Sequence, residues 1–292
     1  MAERMRAPQR PQRATGQVDL HLHSAYSDGL HSPRRLVELA AAVGLEAISI
    51  TDHDTVEGCQ EATAAGQEFR VEVIPGVELS TMERGVELHV LGYFFDPTNP
   101  HLNRHLRLFQ EERVKRARKM VDLLRGMGCP VSFDDVMGRS GKGSVGRPHL
   151  AQAMVECGFV SSVGEAFALY LGEDRPAFVP KYKMATSEAI ALITAAGGLA
   201  FLAHPGWNVA DSLILTLAKQ GLHGVETVHP RHAPGDVYHY RMLVAAHGLL
   251  ETGGSDFHGA PHEAPLGTHV LPRSALEKMR ESVLTAVRNG GA

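Results

Sequence analysis

Cysteine is scarce in this sequence of 292 residues: Cys59, Cys129 and Cys157 stand far apart and form no CxxC pair. That excludes a disulfide framework and a thiolate metal site, and leaves the thiols as small core residues of a reducing compartment, read as the cytoplasm. No apolar run approaches the roughly 20 residues that a membrane span requires. Positive charge is not in excess either; the formal net charge of −4 excludes a protein that wraps duplex DNA by bulk electrostatics, though not a local basic pocket for a phosphate. The N-terminus carries Arg4, Arg6, Arg10 and Arg13 without an apolar segment, so residues 1–16 read as a disordered tail and not a signal peptide. What the chain has in abundance is histidine, 17 residues, many of them beside Asp or Glu at short spacings.

Hydrophobic residues at 43% and charged residues at 21% suit a globular enzyme with a sizeable core. Short apolar runs alternate with helical patterns, which predicts βα units and a mostly parallel sheet. Strands are expected at 18–23, 47–51, 71–75 and 87–95, with a helix opened by Ser32-Pro33 and closed by Gly44, and another over 55–67. From 100 to 183 the pattern is mainly helical and reads as an insertion, with an Arg-rich stretch and a Gly-rich loop over 138–146. Strand–helix alternation resumes at 199–203, 224–228 and 249–252, with helices near 211–219, 236–246 and 274–287. Residues 17–99 and 184–292 are thus expected to form one α/β domain, either an open parallel sheet or a barrel, around a helical insertion at 100–183.

Five or more predicted strand ends carry a histidine or a carboxylate. The first is Asp19-Leu20-His21-Leu22-His23, in which residues two apart share a face of the strand. His21 and His23 therefore project together, with Asp19 expected to hold a ring N–H. Thr51-Asp52-His53-Asp54, Pro75-Gly76-Val77-Glu78, His89, Ala203-His204-Pro205-Gly206 and Gly253-Gly254-Ser255-Asp256-Phe257-His258 follow. One such group alone is as well explained by a core histidine or a helix-capping aspartate. Together they point to a metal site, because strand C-terminal ends are where α/β barrels build their sites.

These motifs in this order, with Ser27-Asp28-Gly29 after the first, resemble the PHP (polymerase and histidinol phosphatase) superfamily over about residues 17–95 and 198–270. The insertion, with Ser144-Val145-Gly146-Arg147-Pro148-His149, resembles a subgroup of nucleoside 3′,5′-bisphosphate phosphatases, some relatives of which trim RNA from the 5′ end. The resemblance implies a distorted (β/α)7 TIM-like barrel and a trinuclear metal centre. His21, His23, Glu78 and Asp256 would hold the first ion and form the catalytic metal-hydroxide centre. Glu78 would bridge to a second ion held by His89 and His204. Asp28, His53 and His258 would take the third.

Nitrogen and carboxylate ligands without thiolates suit Mn²⁺, Fe²⁺ or Zn²⁺, with Mn²⁺ the expected ion. Three such ions, three carboxylates and a bridging hydroxide leave the centre near about +2, matched to a phosphate monoester dianion. The implied reaction is metal-assisted hydrolysis of a phosphorylated nucleotide, with short RNA as a further substrate; no feature calls for an obligate protein partner. Ser144, Arg147, Lys181 and Lys183 are candidates to contact a second phosphate, with the Gly-rich loop as a cradle; the sequence there is no P-loop, since the Lys-Ser/Thr ending is missing. Arg104, Arg107, Arg113, Arg116 and Arg118 read as a solvated helical face. His229 and His232 are candidates to line the pocket, and Trp207 to stack a base. The alternatives are a histidinol-phosphate phosphatase, a metal-dependent amidohydrolase, whose barrels also begin with HxH, and a degenerate metal-binding module.

Overall fold

The computed structural model describes residues 16–140, 144–182, 184–206 and 209–290. The readings made above of the N-terminal tail, of residues 141–143 in the Gly-rich loop, of Lys183 and of Trp207 fall outside these described residues. The first half of the barrel is β1 (Gln17–Leu22), α1 (Pro33–Val43), β2 (Ala47–Ile50), α2 (Cys59–Phe69), β3 (Glu72–Glu83) and β4 (Val86–Tyr93). The second half is α7 (Thr186–Ala195), β5 (Leu199–Leu202), α8 (Asp211–Lys219), β6 (Gly224–Val228), α9 (Pro234–His247), β7 (Leu250–Gly253), β8 (Leu271–Pro272) and α10 (Arg273–Gly290). Between them lie α3 (Pro100–Gly126), α4 (Phe133–Ser140), α5 (Arg147–Glu156) and α6 (Val163–Ala166), the last running into a π-helical turn over Phe167–Leu171.

Local chemistry sets the ends of these elements. Ser32 accepts the N–H of Arg35 ahead of Pro33, and Gly44 closes α1 in the left-handed region at φ 86°. The strands form one sheet in the order β7-β6-β5-β4-β3-β2-β1-β8. β4 runs antiparallel to both neighbours, and the remaining pairs among β1–β7 are parallel. The sheet curls until its ends meet: Leu22 pairs with Phe257, and His23 N donates to Phe257 O at 3.0 Å. The chain is therefore an α/β barrel, nearly closed, with the two-residue β8 added on the outer edge of β1.

Leu91 and Tyr93 follow His89 on one face of β4, so apolar side chains fill the space beyond the site along that strand. The Tyr93 ring meets Phe201 at 5.3 Å, and its hydroxyl donates to Leu20 O at 2.9 Å. The helical segment gathers a separate buried cluster that includes Met120, Leu124, Val136, Leu150 and Met154. The long helix α3 serves both, since Leu102, Leu106 and Phe109 pack with Ile190 and Ile193 of α7 in the barrel's cluster.

The structure departs from the sequence reading at four places. Helix α7 and strand β8 were not foreseen. Helix α4 extends through Ser140, so Gly138 and Arg139 are helical and not part of the glycine-rich loop. Strand β3 does not stop at Pro75 but continues to Glu83, which puts Glu78 inside a strand instead of after a turn. It can pass because Gly76 has no side chain: a Cβ there would lie 2.1 Å from Ser49 Oγ.

Gly254 meets a similar constraint where the barrel closes, since a Cβ would stand 2.4 Å from His21 N. Gly254→Ala is expected to cost about 1–3 kcal/mol by overpacking, read by chemical denaturation. Gly138→Ala, in a helix with no atom near the new methyl, is expected to gain roughly 0.5–1 kcal/mol. Equal effects at the two positions would refute this account of closure.

Candidate metal centre

The alternation of β1 sends His21 and His23 to the same side, and both are fully buried. Their Nε2 atoms lie 3.1 Å apart. Glu78 Oε2 stands 3.4 Å from His21 Nε2 and 3.2 Å from His23 Nε2. Asp256 Oδ1 stands 3.3 Å and 3.1 Å from the same two nitrogens. The His21–His23 edge is thus shared by two triangles, each completed by a carboxylate oxygen.

Glu78 turns its other oxygen to a second group, with Oε1 at 2.7 Å from His89 Nδ1 and 3.0 Å from His204 Nε2. A third group surrounds Asp28, whose oxygens lie 3.4 Å from His258 Nε2 and 3.8 Å from both His53 Nε2 and His23 Nδ1. All nine side chains named from the motifs therefore meet in one bowl, as three adjoining groups. Glu78 joins the first two groups, and His23 joins the first and third through its opposite ring nitrogens.

The bowl leaves polar atoms that the protein itself does not satisfy. His23 Nδ1, Asp28 Oδ1 and His53 Nδ1 are buried without a hydrogen-bond partner, which native interiors rarely tolerate. Burial alone would raise the three carboxyls. The facing histidines instead hold Glu78, Asp28 and Asp256 well below the usual carboxylate range. Burial also opposes charge on His23, yet hydrogen bonds to Asp256 and Glu78 push it up to about 10. Burial takes His53 down to about 3. A buried set of ionised carboxylates whose charge is balanced by protons on facing imidazoles is a donor set that divalent cations fit, with neutral ring nitrogens and carboxylate oxygens as ligands.

The expected role of Asp19 is corrected. Its carboxylate accepts Ser255 N at 2.9 Å, Ser255 Oγ at 2.6 Å and Gly267 N at 3.0 Å, and touches no ring N–H. Burial pushes it up to about 6. The ring of His21 is held by Glu226, which sequence reasoning missed: Glu226 Oε1 lies 2.9 Å from His21 Nδ1, and Oε2 accepts His204 N at 2.7 Å. A glutamate inside the apolar run Gly224–Val228 was the available signal.

Asp52 and Asp54 act on loops as Asp19 does. Asp52 accepts from Ser24 N, Ser24 Oγ and Ser27 Oγ at 2.7, 2.6 and 2.6 Å, shaping the turn that presents Asp28. Asp54 accepts Ser80 N at 2.8 Å. Asp54, His204 and Asp256 all lie at positive φ, 54°, 24° and 50°, where non-glycine residues are strained.

The arginine face is likewise corrected in part. Arg113 turns inward and donates Nε to Asp54 Oδ2 at 2.9 Å. Arg116 is buried and donates to Val179 O at 2.6 Å. His229 lines the site, with Nε2 at 3.2 Å from Asp256 Oδ2. His232 is a packing residue that spans Thr227 O and Gly206 N.

Of the candidate substrate contacts, Ser144 donates its N–H to Tyr26 O at 2.8 Å and keeps a buried, unpartnered hydroxyl. Arg147 donates to Leu171 O at 3.3 Å and lies over the Phe167 and Phe178 rings. Lys181 pairs with Glu87 at 2.5 Å. Beside His89 and His204 a cleft of about 280 Å³ opens, walled by Leu88, Pro205, Val209 and Arg231. Among the described residues no helix is long and apolar enough to cross a membrane.

A profile of the PHP domain matches residues 19–136. A 5′-3′ exoribonuclease of Haemophilus influenzae is 41% identical over 253 residues, 84% of this chain and 90% of its own length. A 3′,5′-nucleoside bisphosphate phosphatase of Chromobacterium violaceum is 33% identical over 84% of this chain and 88% of its own. A solved structure from Bifidobacterium adolescentis, assigned provisionally to the metal-dependent phosphoesterases, superposes with a TM-score of 0.85 at 31% identity. That superposition covers 92% of this chain and 96% of the other.

Mn²⁺ at a hundredfold excess over Kd is expected to stabilise the fold by roughly 2.7 kcal/mol, seen as a raised thermal midpoint that EDTA reverses. Uptake should release protons, because the ion displaces the one held by His23 below its raised pKa, so affinity should fall as pH is lowered. Proton-neutral uptake in weakly buffered solution would contradict this charge assignment. Glu226→Ala, which frees the His21 ring, is expected to weaken ion binding roughly 10–100-fold in a chelator competition.

Proposed function

The chain belongs to the PHP-domain family of metal-dependent phosphoesterases, and from that premise we propose that it removes the 3′-phosphate of nucleoside 3′,5′-bisphosphates. The observation that carries this reading is the sharing of Glu78 and His23 among three adjoining ligand groups. In this reading His21, His23, Glu78 and Asp256 hold one divalent ion, Glu78, His89 and His204 a second, and Asp28, His53 and His258 a third. Mn²⁺ is the preferred ion, with Fe²⁺ and Zn²⁺ as competitors for the same nitrogen and oxygen donors. When bound, the ions supply activation of water for attack on phosphorus and compensate the charge of the phosphoryl oxygens.

The remaining work falls to the chain's own groups. Glu226 and His229 fix the His21 ring and the Asp256 carboxylate, so the reacting phosphoryl group meets rigid walls. The free Ser144 hydroxyl, delivered to the barrel by its backbone bond to Tyr26, is assigned to the second phosphate of the substrate. Arg147, at the start of α5, and Lys181, in the segment that leads to α7, are assigned to add positive charge for that phosphate.

The similarity to an exoribonuclease favours a second substrate of the same chemistry. In a bisphosphate the 3′-phosphoryl group ends the molecule; in RNA it carries the next nucleotide. Attack at that phosphorus with the 3′-oxygen leaving yields a nucleoside 5′-monophosphate in either case, and shortens RNA from its 5′ end.

The test is phosphate release from adenosine 3′,5′-bisphosphate with Mn²⁺, beside histidinol phosphate and a 5′-phosphorylated oligoribonucleotide. Release is expected to fall at least about a hundredfold in His21→Ala, in line with loss of a group that positions the reacting centre. A wild-type rate equal to that of the variant, or a preference for histidinol phosphate, would overturn the assignment.

A further inference from the structure

The helical segment touches the barrel's rim through two cations, and each grips a carboxylate that adjoins a ligand histidine. Glu87 stands two residues before His89 on β4 and shares its face. His89 directs Nδ1 to Glu78 at 2.7 Å, which leaves Nε2 on the outer side of the ring, 3.3 Å from Glu87 Oε1. The same oxygen of Glu87 accepts Lys181 Nζ at 2.5 Å. Lys181 lies where the chain returns from the helical segment, and its side chain is only 20% exposed. On the other flank, Arg113 of α3 pairs with Asp54, the neighbour of His53 in sequence.

We propose that Glu87 and Lys181 are positioning residues for His89, through which the helical segment sets the affinity of the second ion group. This rests on the metal-centre reading given above and adds a determinant that the ligand set does not contain. A ring that offers Nδ1 to a cation must carry its proton on Nε2, and Glu87 is the acceptor for that proton. Accepting it fixes the tautomer and the ring's angle. Lys181 in turn fixes Glu87. Without its ammonium, the carboxylate would stand beside the ion group with nothing to hold it on the outer side of the ring.

The test measures Mn²⁺ binding by titration and ions retained by elemental analysis, on the full chain. Glu87→Ala is expected to lose roughly 10–100-fold in affinity for one ion. Glu87→Gln, which keeps an acceptor oxygen for His89 but loses the charge pairing, should lose less. Lys181→Met should fall in the same direction, with Lys181→Arg restoring most of the affinity. Far-ultraviolet circular dichroism of the metal-free variants checks the fold, and should Glu87→Ala fail to fold, Glu87→Gln and Lys181→Met carry the measurement.

Variants that bind Mn²⁺ as tightly as the wild type overturn the inference. So does a Lys181→Met enzyme whose only change is a higher KM for the bisphosphate, since that marks Lys181 as a substrate contact alone. A wild-type chain that binds no divalent ion at all would instead overturn the metal-centre reading, so the two failures are distinguishable.

Discussion

Everything in the site is arranged around one buried carboxylate. Glu78 is 1% exposed and lies in the middle of a strand, yet five imidazoles face it. An isolated charge at that depth would be prohibitively costly. It stays ionised because the surrounding rings return positive charge to it, and the same need for compensation makes the bowl receptive to divalent ions. The barrel is built to keep that charge in place: β3 can carry Glu78 inward only by running past Gly76, where the strands approach too closely for any side chain.

The other acidic residues of the motifs do a different job. Asp19, Asp52 and Asp54 are as buried as Glu78, but their oxygens are consumed by backbone amides, serine hydroxyls and, at Asp54, the Arg113 guanidinium. They tie down the loops that present Asp256, Asp28 and His53. Each of the three strained positions is itself hydrogen-bonded: Asp54 accepts Ser80 N, His204 N donates to Glu226 and Asp256 N donates to His21 O. The acidic residues of this site thus divide into candidate ligands (Glu78, Asp28, Asp256) and supports (Asp19, Asp52, Asp54).

The helical segment has a core of its own, but it is not an independent attachment. Helix α3 supplies Leu102, Leu106 and Phe109 to the barrel's packing and then sends Arg113 to Asp54. The backbone of Ser144 bonds to Tyr26, two residues from Asp28. These contacts tie the segment to the barrel beside the candidate ligand groups.

The alternation of strands and helices and the clustering of His and Asp at strand ends were legible in local pattern. The closed barrel and the full set of nine candidate ligands came instead from the order of motifs that resembles the PHP family. Strand alternation puts His21 and His23 on one side whatever the rest of the chain does, and apolar runs ending in His or Asp mark strand ends. Partner choice was not legible. Asp19 and Glu226 are both acidic residues on apolar strands, and nothing local says that Asp19 binds a loop while Glu226, 205 residues from His21, holds its ring. The inward turn of Arg113 and the pairing of Lys181 with Glu87 were hidden for the same reason, because a charged residue's role is fixed by which element packs against it. Sequence determined which groups the strands carry to their ends; only the closure of the barrel and the docking of the helices decided which of them meet, and which charged residues of the helices turn inward.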